Sequence, residues 1–543
     1  MHISLRFLHF YLLIPVFLLT LCFTQSVFCM QTEKEAQFTE GISRLLHGNF
    51  KEKELATKQV AGSGDSRARA ILQALLGGKL YRIKKDDTLV YAEIKSSQAK
   101  IRSALTGEQL GSIKKRKLKK ITINNTLRSS LKAALARIDL TSPDSTARLQ
   151  AVKKLSKNLT PQDTILLAEL LEKETNDHVQ KALATAMSIA KLQDKDAEQR
   201  LSAISNLSGN LNPTVRNELI TLLGKEPDDT VRTKAESVLT SIESSISFYG
   251  FIEKLFFGLS LGSVLVLAAI GLAITFGVIG VINMAHGELI MLGAYTTYVI
   301  QQLMPNSIGI ALFLSIPAAF LVSGITGIII ERSVIRFLYG RPLETLLATF
   351  GISLILQQTV RSVFSPLNRS VATPSWMSGS IQINPILSLT TNRITILIFS
   401  MMVFAGLYLL LRKSSIGLQV RAVSQNRAMA RAMGVKAARV DALTFGLGSG
   451  IAGIAGVALA QLTNVGPNLG QAYIIDSFMV VVFGGVGNLW GTLIGGLTLG
   501  VANKFIEPWA GAVLAKILIL IFIILFIQKR PQGLFPQKGR AAE

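Results

Sequence analysis

The chain has 543 residues, of which 49% are hydrophobic, and a formal net charge of +23. These averages conceal two halves that meet near residue 250, because charged and small polar residues dominate before it and long apolar runs follow it. The two cysteines, Cys22 and Cys29, both lie within the first 29 residues. The rest of the chain therefore has no cysteine for a disulfide, for thiol chemistry or for a metal site.

The N-terminus has the layout of a secretory signal. Arg6 precedes an apolar run over residues 7–23, and Val27 and Cys29 are suitable positions before a cleavage site. We expect residues 1–29 to be a signal peptide. An uncleaved anchor helix is the alternative interpretation.

Residues 30–248 are expected to form an extracytoplasmic, mainly helical domain. Apolar and aromatic residues within 79–94 predict a short β-hairpin that turns at residues 86–87. The basic run 114–120 is the strongest candidate for a nucleic-acid contact. Behind an export signal, however, a solvated basic turn or a contact with lipid headgroups is favoured, so no nucleic-acid partner is expected.

An internal repeat occupies the second part of this domain. Residues 149–161 align with residues 201–213 at an offset of 52, and both segments end in Asn-Leu-x-Pro. Apolar residues at helical spacing on both sides of this motif predict helical hairpins of the HEAT type, near residues 147–190 and 199–243. The histidines His47 and His178 are not grouped with other ligands, so no metal site is expected. Such a domain suits binding or scaffolding.

The second half, residues 249–543, predicts an all-α polytopic membrane domain with about nine transmembrane helices. Each apolar run approaches the ~20 residues that cross a bilayer. The seventh and eighth runs are short and rich in glycine, which predicts a broken or re-entrant pair. The runs lie near residues 255–277, 288–303, 308–330, 343–363, 393–412, 440–462, 474–486, 489–505 and 513–528.

Basic residues predict the orientation of the domain in the inner membrane. They cluster within residues 332–341, 412–439 and 529–540. Such loops lie in the cytoplasm by the positive-inside rule, which also places the C-terminus there. An odd number of spans then leaves residues 31–248 outside the cytoplasm, in agreement with the export signal.

Small residues recur at four-residue spacing, which predicts close helix packing. The groups are Gly258/Gly262, Gly446/Gly450, Ala452/Gly456 and Gly487/Gly491/Gly495.

The segment Asn283-Met-Ala-His-Gly-Glu288 is a polar insertion in an apolar stretch. Ionisable groups in a bilayer usually face the bundle interior, a water-filled path or a partner. We expect this segment to lie at the cytoplasmic end, where the first span turns into the second, with His286 ordering the turn. The candidates for the solute path or gate are Asn283, His286, Glu288, Glu344, Thr345, Gln357, Gln358 and Asp476. For each, interhelical hydrogen bonding is the alternative role.

The basic loop between the fifth and sixth runs predicts a docking helix. Alanines alternate there with arginines, and Met429, Met433 and Val435 give an apolar edge. This pattern is typical of a short amphipathic helix, here ending at Gly434. A helix anchored on lipid is the alternative. The residues of this predicted docking helix include Gly417, Arg421, Ala422, Asn426, Ala430 and Gly434.

These segments resemble the permease subunits of branched-chain amino-acid type ABC transporters. Residues 271–288 are similar to a segment of those permeases, residues 417–434 resemble their coupling helix, and residues 530–535 resemble their C-terminal ending. Within the family, the chain is most similar to the urea-transporter permeases. That narrower likeness lies in residues 124–135, 283–288, 341–351 and 464–478.

The resemblance implies an alternating-access permease with no enzymatic activity and no cofactor. Its implied partners are a second permease subunit, two cytoplasmic ATP-binding subunits and an extracytoplasmic solute-binding protein. The chain contains no Gly-x-x-x-x-Gly-Lys-Ser/Thr phosphate loop, which fits ATP hydrolysis by partners. The implied solute is urea or a close short amide. The alternatives are a branched-chain amino-acid permease and an energy-independent channel, which needs no docking helix.

Replacing Arg421 or Gly434 is expected to uncouple ATP hydrolysis from uptake without affecting membrane insertion, because both belong to the predicted docking helix. ATPase and uptake rates of the assembled transporter would be measured together. Unchanged transport in both variants would contradict the docking assignment.

Overall fold

The computed structural model describes residues 35–95, 98–157 and 159–535. The chain divides into two compact units, Met1–Glu243 and Ser244–Glu543. The predicted signal peptide, residues 1–29, lies outside the described residues.

The first unit begins with helices around a curled antiparallel sheet. The strands follow the order β4-β3-β2-β1-β5, and a three-residue turn joins the two edge strands, β4 and β5. The elements are α1 (35–47), α2 (Phe50–Gly62), α3 (Ala68–Leu76), β1 (Leu80–Ile83), β2 (Leu89–Lys95), β3 (Gln98–Ser103), β4 (Gln109–Lys114), β5 (Leu118–Lys120) and α4 (Asn125–Asp139).

The predicted β-hairpin is confirmed as β1 and β2, which pair from Leu80 with Tyr91 to Arg82 with Leu89. Asp87 in its turn has a φ of +54°. The other three strands were not predicted, because β3 has a single large apolar residue, Ile101, β4 is almost wholly exposed and β5 has only three residues. The basic run ends β4, forms the turn and continues as β5, with Leu118 as its buried residue.

The repeat consists of three helices per unit, so the prediction of a two-helix hairpin is wrong. Corresponding helices begin 52 residues apart. The additional break has a local cause, because Asn176 accepts hydrogen bonds from the backbone amides of His178 and Val179 and so starts a new helix. The helices are α5 (Ser145–Leu155), α6 (Pro161–Lys173) and α7 (Asp177–Lys191), then α8 (Ala197–Asn206), α9 (Pro213–Leu223) and α10 (Asp229–Ile279).

Both repeats contain the same arginine–glutamate pair. Arg148 donates from Nε and Nη2 to the two carboxylate oxygens of Glu174, at 2.8 Å each. Arg200 makes the equivalent bonds to Glu226, at 2.9 and 2.7 Å. This bidentate geometry is the strong form of the interaction. The hydrogen bonds from Arg148 lower the pKa of Glu174 from 4.5 to about 2.

The replacement Glu174→Gln is expected to destabilise the repeat by roughly 1–2 kcal/mol and to reduce its acid sensitivity. Since the folded-state pKa is depressed, the carboxylate stabilises the fold fully above about pH 4.5 and loses this effect as the pH falls towards about 2. Cleavage of residues 142–176 by pepsin in the full chain should therefore accelerate over this window in the wild type. The Glu174→Gln variant should already be cleaved rapidly at the upper end of this pH window.

The control is Glu172→Gln, which removes an exposed acid from the same helix. Its cleavage also corrects for the pH dependence of pepsin itself. Equal behaviour of the two variants would contradict the role of the ion pair.

The second unit is a helical bundle with one short hairpin, β6 (Ser380–Gln382) and β7 (Ser388–Thr390). It contains the membrane portion of α10. Its other helices are α11 (His286–Leu303), α12 (Ile308–Ser333), α13 (Pro342–Phe364), α14 (Thr391–Lys413), α15 (Ser415–Gln425), α16 (Arg427–Ala432), α17 (Ala437–Ala460), α18 (Leu469–Gly484), α19 (Leu489–Ala510) and α20 (Ala512–Lys529).

Seven helices of the described chain are long and apolar enough to cross a membrane. The predicted spans 288–303 and 474–486 coincide with α11 and α18, which are not among the seven. Helix α18 has only 16 residues, and α11 contains His, Glu and several hydroxyl and amide side chains. The eighth predicted run is not short, since α19 has 22 residues.

Glycines allow these helices to approach each other closely. A Cβ atom on Gly262 of α10 would lie 2.7 Å from the Cα atom of Leu497 on α19. One on Gly450 of α17 would lie 2.6 Å from the ring of Phe320 on α12. A larger side chain at Gly262 would therefore require displacement of a helix, and one at Gly450 would require the ring of Phe320 to move. The predicted small-residue contacts at Gly258/Gly262 and Gly446/Gly450 are confirmed.

Candidate solute path and coupling site

Residues 280–285 interrupt the helices inside the bundle. Helix α10 ends at Ile279, and α11 begins at His286. The Nε2 atom of His286 lies 2.9 Å from the carbonyl oxygen of Ala268, eleven residues before the end of α10, or roughly 16 Å along a helix. The chain therefore turns back along α10, and α11 starts deep in the bundle. Its predicted location at the cytoplasmic end is wrong, because hydropathy does not reveal that these residues re-enter.

Side chains satisfy the backbone of this interruption. Asn283 Oδ1 accepts a hydrogen bond from the amide of Ala285 at 3.0 Å, and Thr349 Oγ1 accepts one from the amide of Met284 at 3.1 Å. Non-helical backbone at membrane depth is tolerated only within protein or beside a water-filled cavity. His286 is fully buried, and its ring holds the start of α11 against α10, as predicted for a residue that orders the turn.

Glu288 connects α11 to α13. Its Oε1 atom accepts hydrogen bonds from Ser353 Oγ and Gln357 Nε2, both at 2.9 Å. These two residues lie four apart and so share one face of α13. The carboxylate is 1% exposed, yet among the described residues its Oε2 atom has no hydrogen-bond partner.

Two more unpaired polar atoms lie in the same segment. Within the described chain, Asn283 Nδ2 and His286 Nδ1 are buried and have no hydrogen-bond partner. Buried polar groups are nearly always paired, so three unpaired atoms within six residues set this segment apart. They are an amide donor, an imidazole nitrogen and a carboxylate acceptor.

Close packing surrounds this start of α11. A Cβ atom on Gly287 would lie 2.6 Å from the carbonyl oxygen of Gly470, on α18. On another side, Ser323 Oγ of α12 donates to the carbonyl oxygen of Leu289 at 2.9 Å. Helices α10, α12, α13 and α18 thus all contact the segment, and a shift of any of them would alter it.

The remaining predicted path residues lie elsewhere. Glu344 is exposed in the first turn of α13 and pairs with Arg341 at 3.1 Å, away from the polar interruption. Buried Thr345 donates to the carbonyl oxygen of Arg341 at 2.8 Å and so stabilises that turn. Asp476 forms a 2.7 Å ion pair with Lys516 of α20. Of the predicted set, Asn283, His286, Glu288 and Gln357 are brought together, whereas Gln358 is exposed.

The predicted docking helix is two helices, α15 and α16. Asn426, with φ −147° and ψ 99°, interrupts them, and its side chain accepts a hydrogen bond from the amide of Met429 at 2.9 Å. One continuous helix was predicted because the amphipathic pattern runs through Asn426 without interruption. In the structure, the same residue is the N-cap that starts a second helix. Gly434 has a φ of +84°, and its amide and that of Val435 bond back to the end of α16, as in a Schellman cap.

These two helices have a buried and an exposed face. Val420, Val423 and Ala430 pack against the start of α17. Met429 and Met433 are 61% and 78% exposed, and large exposed apolar side chains commonly mark a protein contact. The other assigned residues are divided between the faces, since Gly417 packs on Leu411, Arg421 donates to the carbonyl oxygen of Leu411, and Ala422 is partly buried.

A buried ionic cluster, not identified from the sequence, joins α16 to the bundle. Arg427 forms an ion pair with Asp441 of α17, and its guanidinium lies 4.9 Å from the ring centre of Tyr339. Tyr339 in turn donates to Glu331 of α12 at 2.7 Å. Asp441 and Glu331 are each 1% exposed. The sequence feature that could have revealed this cluster is Asp441, an acid in the second turn of the apolar helix α17.

Taken together, apolar helices, a polar interruption inside the bundle and a basic pair of loop helices are the features of a membrane transport permease. The family described as "Branched-chain amino acid transport system / permease component" matches residues 254–527. The chain therefore belongs to this family of permease components.

Relatives agree with this assignment. The high-affinity branched-chain amino acid transport system permease protein LivH of Salmonella typhimurium is 33% identical over 302 residues, which cover 53% of this chain and 97% of LivH. BraD of Pseudomonas aeruginosa, with the same description, is 30% identical over 53% of this chain and 96% of BraD. The ribose import permease protein RbsC of Escherichia coli is 27% identical over 49% of this chain and 82% of RbsC. No solved structure matches the chain.

The replacement Glu288→Gln is expected to reduce solute uptake roughly tenfold or more, because a charge-assisted hydrogen bond to the solute would be lost. The amide preserves the shape of the side chain and can still accept from Ser353 and Gln357, so assembly should be unchanged. Uptake into proteoliposomes with the partner subunits would measure the effect.

Glu344→Gln is the matched control, since it makes the same change at an exposed acid of the same unit. Uptake in this variant should remain within about twofold of wild type, as expected for an exposed charge pair. Full activity of Glu288→Gln would contradict a role for that carboxylate in the path.

Proposed function

We propose that this chain is the membrane-spanning permease subunit of an ABC importer that carries a small polar solute into the cytoplasm. The observation that supports it most strongly is the polar interruption between α10 and α11, in which three buried polar atoms of the described chain have no hydrogen-bond partner. The loop helices α15 and α16 supply a second feature that an importer driven by partner ATPases requires.

The proposed assembly contains a second permease subunit, two cytoplasmic ATP-binding subunits and an extracytoplasmic solute-binding protein. In the proposed orientation, the basic loops and the C-terminus are cytoplasmic, in keeping with the positive-inside rule. The N-terminal unit is then extracytoplasmic, where it would serve binding or scaffolding. An energy-independent channel is disfavoured, because it has no use for the exposed methionines of α16.

Branched-chain amino acids are the substrate class that the relatives favour. LivH and BraD carry that description, and each aligns over nearly its full length with about half of this chain. In this proposal, the carboxylate of Glu288 receives the ammonium group of the amino acid. The solute-binding protein would supply most of the selectivity.

Urea, or a close short amide, is the second candidate. The polar groups of the interruption are an amide, an imidazole and a carboxylate. Within the described chain, no lysine or arginine forms an ion pair with Glu288. A neutral solute rich in N–H groups needs no cation there, whereas an amino acid also carries a carboxylate. In addition, residues 1–253 lie outside the family match, and the resemblance of residues 283–288 to urea-transporter permeases supports this candidate.

Competition of labelled solutes in the assembled transporter separates the candidates. An amino-acid importer should take up labelled leucine in an ATP-dependent manner, with inhibition by isoleucine and valine and none by urea at equal concentration. A urea importer should show the reverse, with inhibition by short amides. The control is a transporter whose ATPase subunits cannot hydrolyse ATP. Uptake that persists in this control would contradict the importer proposal and support a channel.

A further inference from the structure

We propose that the cleft between α10, α14 and α15 binds an anionic phospholipid, with the lipid phosphate between Arg412 and Arg421. The cleft lies at the end of the bundle that carries the basic loops. Its volume is about 620 Å³. The proposal concerns the membrane rather than the transported solute, so it does not depend on which substrate is carried.

Two arginines and a hydroxyl group supply the polar part of the cleft. Arg412, Arg421 and Ser424 all line it. Arg412 Nη1 donates to the hydroxyl of Tyr408 at 2.8 Å, and its guanidinium lies 5.7 Å from the centre of that ring. Arg421 donates to the carbonyl oxygen of Leu411. These contacts fix both side chains at the cleft and leave most of the five N–H donors of each guanidinium for a ligand.

The charges of these arginines are not compensated by acids. Among the described residues, no Asp or Glu forms an ion pair with either Arg412 or Arg421, whereas Arg427 of the same loop region is paired with buried Asp441. Arginines that only stabilise the fold are expected to be paired with an acid, as Arg427 is. Two uncompensated guanidinium groups on adjacent helices are instead complementary to a phosphate.

The other walls of the cleft are apolar, which favours an amphiphile over a simple anion. Ala273, Ile274 and Val278 of α10 form one wall, and Leu411 and Leu489 form others. The volume equals that of about twenty water molecules at ~30 Å³ each, far more than one inorganic phosphate fills. A phospholipid satisfies both parts, because its phosphate meets the arginines and its glycerol and upper acyl chains meet the apolar walls.

The surroundings of the cleft are those of a membrane interface. Trp490 lies next to the cleft residue Leu489, and its ring centre is 5.7 Å from that of Tyr408 and 5.4 Å from that of Phe404. Tyr and Trp are enriched at the headgroup level, and basic pockets between membrane helices bind anionic headgroups. A partner protein has a different surface available, the exposed Met429 and Met433 of α16.

Trp490 provides a local probe for this lipid. The chain has three tryptophans, so Trp376→Phe and Trp509→Phe together leave Trp490 alone. The purified full chain, without ATPase subunits, would be reconstituted with increasing fractions of phosphatidylglycerol or phosphatidylcholine brominated on the acyl chains. We expect half-maximal quenching of Trp490 at a fraction of the anionic lipid that is lower by about fivefold for one charge and up to about thirtyfold if both arginines contribute fully.

Variants test whether Arg412 and Arg421 cause the preference. The double replacement Arg412→Gln and Arg421→Gln should make the two lipids equally effective. Lys413→Gln removes one exposed positive charge from the same end of α14 and should keep the preference. Equal quenching by the two lipids in the parent chain would overturn the proposal, as would a loss of preference in Lys413→Gln equal to that of the double variant.

Two further outcomes would also overturn it. Displacement of the brominated lipid by millimolar inorganic phosphate would show a site for a free anion. If the two lipids quench Trp490 equally in the isolated chain and Arg412→Gln abolishes binding of the ATPase subunits, these arginines contact a protein partner instead.

Discussion

The structure of the membrane unit depends on one constraint, the need to satisfy non-helical backbone where water is scarce. Residues 280–285 have no helical hydrogen-bond ladder, and they lie along the inner part of α10. In hydrocarbon, each unpaired amide or carbonyl would cost several kcal/mol. The roles of Asn283 and Thr349 follow from this, since both accept from amides of the interruption. The glycine at 287 follows too, because a Cβ atom there would lie 2.6 Å from the carbonyl oxygen of Gly470 on α18.

The same region is mechanically connected to the loop helices. Arg427 on α16 is paired with Asp441 near the start of α17. Further along α17, Gly453 and Gly456 lie against the backbone of α11. A displacement of α16 would therefore move a helix that is packed on α11 without an intervening side chain. Close-packed interfaces transmit such shifts because they cannot deform continuously.

Much of the fold could be predicted from the sequence, and the failures have specific causes. Length and apolarity located the membrane helices, and the offset of 52 residues located the repeat. The third helix of each repeat was missed because it begins at a side-chain cap rather than at a change of periodicity. The depth of α11 was missed because hydropathy measures the length of a run and not its position. Asp441 and Glu331 were missed because single acids in apolar helices do not reveal their partners.

Glu288 is central to the proposed solute path, because within the described chain its buried Oε2 atom has no hydrogen-bond partner. Leaving a buried acceptor without a partner costs about 1–3 kcal/mol, more when it is charged. In the first unit, Glu174 and Glu226 have both carboxylate oxygens bonded, whereas buried Glu331 of the ionic cluster also has an Oε2 atom without a hydrogen-bond partner among the described residues. Glu288 likewise has one oxygen bonded by Ser353 and Gln357 and the other unpaired within the described chain, but it lies beside the polar interruption between α10 and α11. In the proposed importer, a solute or water molecule would pair that oxygen.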